Sequence, residues 1–348
     1  MDLWHLFKHP DQFLMAFEGS DAIFVEMDRD AYHRSIFCDR RISPATGRQI
    51  KIQCAELFEF NEQNFSQTPD LSYIFHMAHC GSTLLSRALD IKETNLVYRE
   101  PLALRQLGVE AASTFYGEVA PESWRRRVNL ITTLLGRSYN QEGSVIVKAN
   151  VPVNFMIPQL LDAATDVRGI LLYFTFENYL LAILKSPTHR GWIVNVATEL
   201  NRGIGVVTKV RQNLTLPQVA ACLWLTQVII FSEILSSYPQ VKSLHAESLF
   251  NDPRHTLQHA FRYFGQTVDE SVVDKIVSGE LFSRYSKNPQ RKFNNDARLA
   301  QRRAIQKEIG HEIEEARNWI ERQAGMRQLP KKLTSSLVGG SVDLLMPT

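Results

Sequence analysis

From Leu71 onward, short apolar runs alternate with helix-like segments, and this alternation leaves the chain few possible architectures. The runs are SYIFHM from Ser72, NLVYRE from Asn95, SVIVKAN from Ser144, GILLYFT from Gly169 and VKSLHAE from Val241. Strands this apolar are stable only when both faces are covered. They predict an α/β fold, with a central, mostly parallel sheet between two layers of helices. Ahead of them, DAIFVEM, RSIFC and IKIQC are short β-rich runs separated by DRD and SPATG, which predicts a small β-rich N-terminal element over 1–66. The α/β domain then covers 67–290. In 291–325, Ile305, Ile309, Ile313, Ala316 and Ile320 share one helical face, predicting a single long C-terminal amphipathic helix from about Asp296 to Gln323. The tail, 326–348, carries Ser, Gly and Lys and reads as loose.

The first α/β strand runs into a distinctive turn, FHMAHCGSTLLSRALD from Phe75 to Asp90. Strand, polar turn, Gly81-Ser82-Thr83 and helix, in that order, present backbone N–H groups to an anion and make the three-layer fold P-loop-like. Gly81 allows close backbone approach, and Ser82 and Thr83 add hydroxyl donors. A plain β–α turn with Ser and Thr capping the helix is the structural alternative. The nucleoside-triphosphatase form of this loop needs Lys directly after its last glycine, and Ser82 stands there instead.

The stretch HMAHCGSTLLSRALD resembles the loop with which sulfotransferases hold the 5′-phosphosulfate of 3′-phosphoadenosine 5′-phosphosulfate, as in a divergent, bacterial-type member of that family. In the family the loop reads Lys or Arg, then Ser, Gly and two hydroxyl residues. His79 takes the cation's place, Cys80 the small residue's, and Gly81, Ser82 and Thr83 match directly. The resemblance implies this phosphosulfate nucleotide as donor, transfer of sulfonate to a hydroxyl or amine acceptor on a small molecule or peptide, and no metal. VIVKANVPVNFMIP supplies a second match: cytosolic sulfotransferases carry Lys-Thr-His-Leu-Pro at a strand end, read here as Lys148-Ala149-Asn150-Val151-Pro152. Lys148 would stabilise the bridging oxygen as the sulfonate departs, or simply exit its strand into solvent. Asn150 replaces the family's catalytic histidine and cannot accept a proton.

In the tyrosylprotein branch a Glu follows the loop glycine by nineteen residues and acts as the base; Gly81 to Glu100 spans the same distance. Glu100 is thus either the base or a first-turn Glu of the helix opened by Pro101. The family's 3′-phosphate donors, an Arg and a Ser, fall on Phe174 and Ala182. Lys185 and Ser186 offer a substitute, as does SRYSKNPQRK, where Ser286 and Lys287 are suitable phosphate ligands. That later stretch reads equally well as a solvated linker.

Charge bears on this last point. From Arg284 to Lys332 there are thirteen Lys or Arg against six Asp or Glu, a local +7 within a chain of net +2. Either a solvated helix face or a basic rim beside an anionic ligand follows. The small net charge gives no argument for nucleic acid. Cys38, Cys54, Cys80 and Cys222 show no metal-ligand spacing, so reduced thiols and a cytoplasmic location are expected. Val219–Leu235 is strongly apolar but interrupted by Thr226, Gln227, Ser232 and Glu233, which predicts a buried helix and no membrane span. Besides the sulfotransferase, two readings stay open: a non-catalytic nucleotide- or protein-binding relative, and a nucleotide-dependent phosphotransferase, which wants a P-loop lysine and a strand-end Asp.

Overall fold

Strands β1 (Gln12–Glu18), β2 (Asp21–Glu26) and β3 (Gln49–Gln53) form a small antiparallel sheet at the N-terminus of the computed structural model. The structure describes residues 2–67, 69, 71–140, 143–210, 213–286, 288–326 and 329–346. The RSIFC run is not a strand. Asp28 accepts a hydrogen bond from the Ala31 N–H at 2.5 Å and starts the helix Arg29–Arg34, whose Ala31 and Tyr32 face the core. The DRD signal is therefore a helix cap where the sequence suggested a turn between strands. A further helix, Cys54–Asn64, follows β3 directly.

The central sheet contains β4 (Ser72–His76), β5 (Asn95–Arg99), β6 (Ser144–Lys148), β7 (Arg168–Tyr173) and β8 (Val241–His245), in the order β5-β6-β4-β7-β8. All pairings are parallel. Each strand is buried almost throughout, as its unbroken apolar pattern requires. The chain leaves β4 toward β5 on one side and later crosses to β7 on the other. That reversal puts a crevice at the carboxyl ends of the strands beside β4, where α/β sheets bind ligands.

The apolar stretch is the helix Leu216–Ser237, the single described helix long and apolar enough to cross a membrane. It lies in the protein core, where Trp224 is buried and donates its indole N–H to the Phe174 carbonyl at 3.1 Å. The expected long C-terminal helix is two helices, Asn295–Glu308 and Gly310–Met326, broken where Ile309 leaves helical geometry ahead of Gly310. Glycine is a poor helix interior residue, and a break there lets Ile313, Ala316 and Ile320 pack inward. The described part of the tail is packed rather than loose. Leu333 and Leu344 are buried, and Ser243 of β8 exchanges backbone hydrogen bonds with Ser335 and Leu337. A short antiparallel pair, β9 (Arg284–Tyr285) and β10 (Asn288–Lys292), precedes the last helices.

The N-terminal element packs on β5 and on the helix Leu102–Glu110. Phe13 stacks on Tyr98 at 5.9 Å, and Gln106 bonds both the N–H and the carbonyl of Phe17. Arg99, fully buried, pairs with Asp90 at 2.8 Å and donates to the Ser35 carbonyl. Asp90 also takes Arg29 at 2.5 Å and His33 at 3.2 Å. Burial works against ionisation of Asp90, but His33, Arg99 and Arg29 hold its carboxyl well below the usual range.

Candidate functional site

The turn after β4 is held by its own side chains. The Cys80 thiol donates to the Met77 carbonyl at 2.9 Å and is completely buried. Cys80 therefore shapes the loop from inside, and its side chain does not line the cleft described below. His79 and Gly81 both take left-handed backbone, at φ 60° and 87°. At Gly81 the conformation favours glycine, and a Cβ would sit 2.8 Å from the Phe250 ring. The helix Ser82–Ala88 then begins, with Leu85 N–H bonding the Gly81 carbonyl at 3.0 Å.

His79, Gly81, Ser82 and Thr83 open onto a cleft of about 430 Å³. Thr83 is buried, and its hydroxyl has no hydrogen-bond partner among the described residues. Lys185, Ser186 and His189 line the cleft from the start of the helix Pro187–Glu199. Ser186 caps that helix, and its hydroxyl lies 2.6 Å from His189 Nδ1. The His189 ring is 4.2 Å from that of His79. On the other side stand Arg284, Tyr285 and Ser286 of the β9 turn, with Arg298 and Gln301 of the following helix. Arg87 fixes the turn by donating to the Ser286 carbonyl at 3.0 Å. Lys287 lies outside the described residues.

Lys185, Arg284 and Arg298 bring basic side chains to the cleft, Arg284 also pairing with Glu280 at 3.2 Å, and no Asp or Glu is among the described lining residues. Arg298 makes two bonds to Glu247, at 3.1 and 2.6 Å, and Arg302 adds one at 2.6 Å. Burial opposes ionisation of Glu247, but these two guanidiniums hold its carboxyl below the usual range. Two arginines on one carboxylate leave net positive charge beside the cleft. Phe250 and Phe293, 6.1 Å apart, and Tyr285, 5.4 Å from Phe293, supply an aromatic wall. The arrangement suits an anion joined to a flat ring.

His79, Gly81, Ser82, Thr83, Lys185 and Ser286, singled out in the sequence, line one cleft, and His189, Phe250, Phe293, Arg298 and Gln301, not singled out there, line it with them. Arg298 belongs to the basic segment, and its charge was the available signal. Phe250 and Phe293 carry no local signal, since only the fold brings them together.

Glu100 and Lys148 are also brought together, but outside the cleft lining. Glu100 has φ 57°, and its N–H donates to the Lys148 carbonyl at 2.7 Å. The Lys148 ammonium, fully buried, pairs with the Glu100 carboxylate. His76 Nε2 lies 4.0 Å from the same carboxylate. Phe37 covers the pair, 5.4 Å from Lys148 Nζ, with Arg41 above its ring at 3.9 Å. Lys148 thus neither exits into solvent nor lines the cleft. Its ammonium is directed at the Glu100 carboxylate. Asn150 is buried, and its Oδ1 has no partner among the described residues. Among the described residues no group of three or more His, Cys, Asp or Glu is placed to hold a metal ion.

No family model matches the chain, and no curated protein sequence matches it. Among solved structures it is similar to the sulfotransferase domain from the curacin biosynthetic pathway, at 11% identity over 70% of this chain and 99% of that one, with a TM-score of 0.43. A sulfotransferase from Alicyclobacillus acidocaldarius is similar at 12% identity, covering 73% and 94%, with a TM-score of 0.36. Retinol dehydratase in complex with androsterone and the inactive cofactor PAP follows at 12% identity, covering 82% and 90%, with a TM-score of 0.37.

Proposed function

We propose that the cleft binds 3′-phosphoadenosine 5′-phosphosulfate and that the protein transfers its sulfonate to a hydroxyl or amine of a small molecule or peptide. The observation that carries this reading is the convergence of the His79–Thr83 loop with Lys185, Arg284 and Arg298 on one cleft. Backbone donors of the loop and the Thr83 hydroxyl would take the phosphosulfate end. Arg284, Ser286 and Arg298 would take the second phosphate, replacing the donors lost at Phe174 and Ala182. Tyr285, Phe250 and Phe293 would pack the base.

The donor supplies an activated sulfonate. The acceptor oxygen or nitrogen forms a bond to sulfur while the bond from sulfur to the phosphate oxygen breaks, and the acceptor's proton goes to a base. Glu100 is the proposed base. Its contact with His76 places it at the end of β4, from which the loop departs. Lys148 is a positioning residue that holds this carboxylate, and the leaving phosphate is stabilised by the cations of the cleft.

A second reading, a nucleotide-binding protein without turnover, is favoured by one observation: the Glu100 carboxylate is already engaged by a buried ammonium. Offering phenols, alcohols, amines and tyrosine peptides with labelled phosphosulfate donor separates the two. Sulfonated product supports the enzyme. Donor binding without turnover on any acceptor class supports the binding protein.

A further inference from the structure

A second cavity, of about 210 Å³, lies between the helix Leu216–Ser237 and the segment after β6, and it shares no lining residue with the nucleotide cleft. One wall is the π-helical turn Ala111–Phe115, a geometry that recurs at functional sites. Its polarity is opposite to that of the first cleft. Glu118 and Glu233 line it, and no Lys, Arg or His is among its described lining residues. Glu118 is paired outward with Arg202, whereas Glu233 makes no ion pair among the described residues. Tyr116 and Phe155 form an aromatic corner, with ring centroids 5.2 Å apart at 84°. Burial, and after it the charge of Glu233, pushes the Tyr116 phenol up to about 12, consistent with the carboxylate facing this corner.

Asn154 supplies an independent pointer to a ligand. It lines the cavity and is 1% exposed. Its amide nitrogen donates to the His76 carbonyl at 3.1 Å and to Gln227 Oε1. A backbone carbonyl can only accept, so the amide nitrogen must face His76 and the oxygen must turn away. That oxygen is buried with no partner among the described residues. Its need is for a hydrogen-bond donor. Gln227 and Glu233 are two of the polar residues that interrupt the otherwise apolar Leu216–Ser237 stretch. Gln227 fixes Asn154 through its Oε1 while its own buried amide nitrogen finds no partner among the described residues, and Glu233 stands at the exposed rim of the cavity.

We infer that this cavity binds an organic ammonium ion with a compact apolar body. Asn154 and Glu233 accept from the ammonium, while Tyr116 and Phe155 pack its body and face its charge. The volume lies below the roughly 300–1,000 Å³ of drug-sized sites, which points to a small amine and away from a nucleotide. The inference does not depend on the sulfonate-transfer reading, because the two sites have no wall in common.

The test uses the full chain and calorimetric titration with phenethylamine, 2-phenylethanol and 3-phenylpropanoate, matched in shape and differing in charge. The amine is expected to bind at least about tenfold more tightly than the alcohol, and the carboxylate not at all. Glu233→Gln should weaken the amine about tenfold while leaving nucleotide affinity unchanged. Ala120→Phe should fill the cavity and abolish amine binding. If Ala120→Phe fails to fold, the ligand series and Glu233→Gln still decide. Equal affinity for amine and alcohol, an unaffected Glu233→Gln variant, or no amine binding at millimolar concentration would each overturn the inference.

Discussion

Glu100 and Lys148 are tied twice, once through the Glu100 N–H to the Lys148 carbonyl and once through carboxylate and ammonium, at the adjacent ends of β5 and β6. The backbone of Glu100 is left-handed, a conformation that costs on the order of 1–3 kcal/mol and persists only where surroundings enforce it. Removing one partner leaves the other charge buried. Glu100→Gln should therefore destabilise the fold by about 3–5 kcal/mol in urea unfolding. Adding Lys148→Met should recover much of that loss. If Glu100 is the base, turnover should fall about 10²–10⁴-fold in the single variant and stay low in the double. A Glu100→Gln variant as stable as the parent would show that the pair contributes little.

His245, at the end of β8, gives a pH prediction. Burial pushes its imidazole down to about 4 from 6.5, with Glu247 opposing and Arg302 adding to the shift. Below pH 6.5 the unfolded chain takes up a proton that the folded chain refuses. Stability is thus fully present above that value and is lost as pH falls toward 4, by on the order of 3 kcal/mol from this residue. His245→Asn should flatten that part of the stability profile. An identical pH slope in the variant would assign the acid sensitivity elsewhere.

Arg284 is the predicted discriminator of the second phosphate. Arg284→Glu should weaken adenosine 3′,5′-bisphosphate by about 2 kcal/mol or more, and adenosine 5′-monophosphate by clearly less. Equal losses for both nucleotides would reduce the role of Arg284 to a general field effect.

Gly81 is constrained by the protein itself. With φ at 87° and Phe250 against the missing Cβ, Gly81→Ala should destabilise the fold by about 1–3 kcal/mol. Phe250→Leu in the same chain should relieve the contact but not the backbone strain. A fully stable Gly81→Ala variant would mean that the loop relaxes freely.

The sheet was legible because its signal is local. Each of the five apolar runs is long enough to be a strand and too apolar to be anything exposed, and all five are strands. The loop was legible for the same reason, since Gly81-Ser82-Thr83 end the short turn between β4 and its helix. What escaped was encoded at long range. Phe250 and Phe293 meet only because the chain returns over the sheet, and Lys148 finds Glu100 across two strands. RSIFC was misread because the helix capped by Asp28 takes Arg34 and ends at Ser35, leaving Ile36 and Phe37 in irregular chain, and the tail because the backbone of Ser335 and Leu337 is anchored to β8. Within the long amphipathic pattern, periodicity hid the helix break at Ile309 and Gly310.

One cleft, built from the His79–Thr83 loop with Lys185, Arg284 and Arg298, is proposed to bind a nucleotide bisphosphate without a metal ion. Calorimetric titration of adenosine 3′,5′-bisphosphate in EDTA, beside ATP with magnesium, tests it most directly. One bisphosphate should bind per chain, at least about tenfold more tightly than ATP with magnesium, and binding should be lost in Lys185→Glu combined with Arg284→Glu. No binding in EDTA, binding only of ATP with magnesium, or undiminished bisphosphate affinity in the double variant would contradict the account.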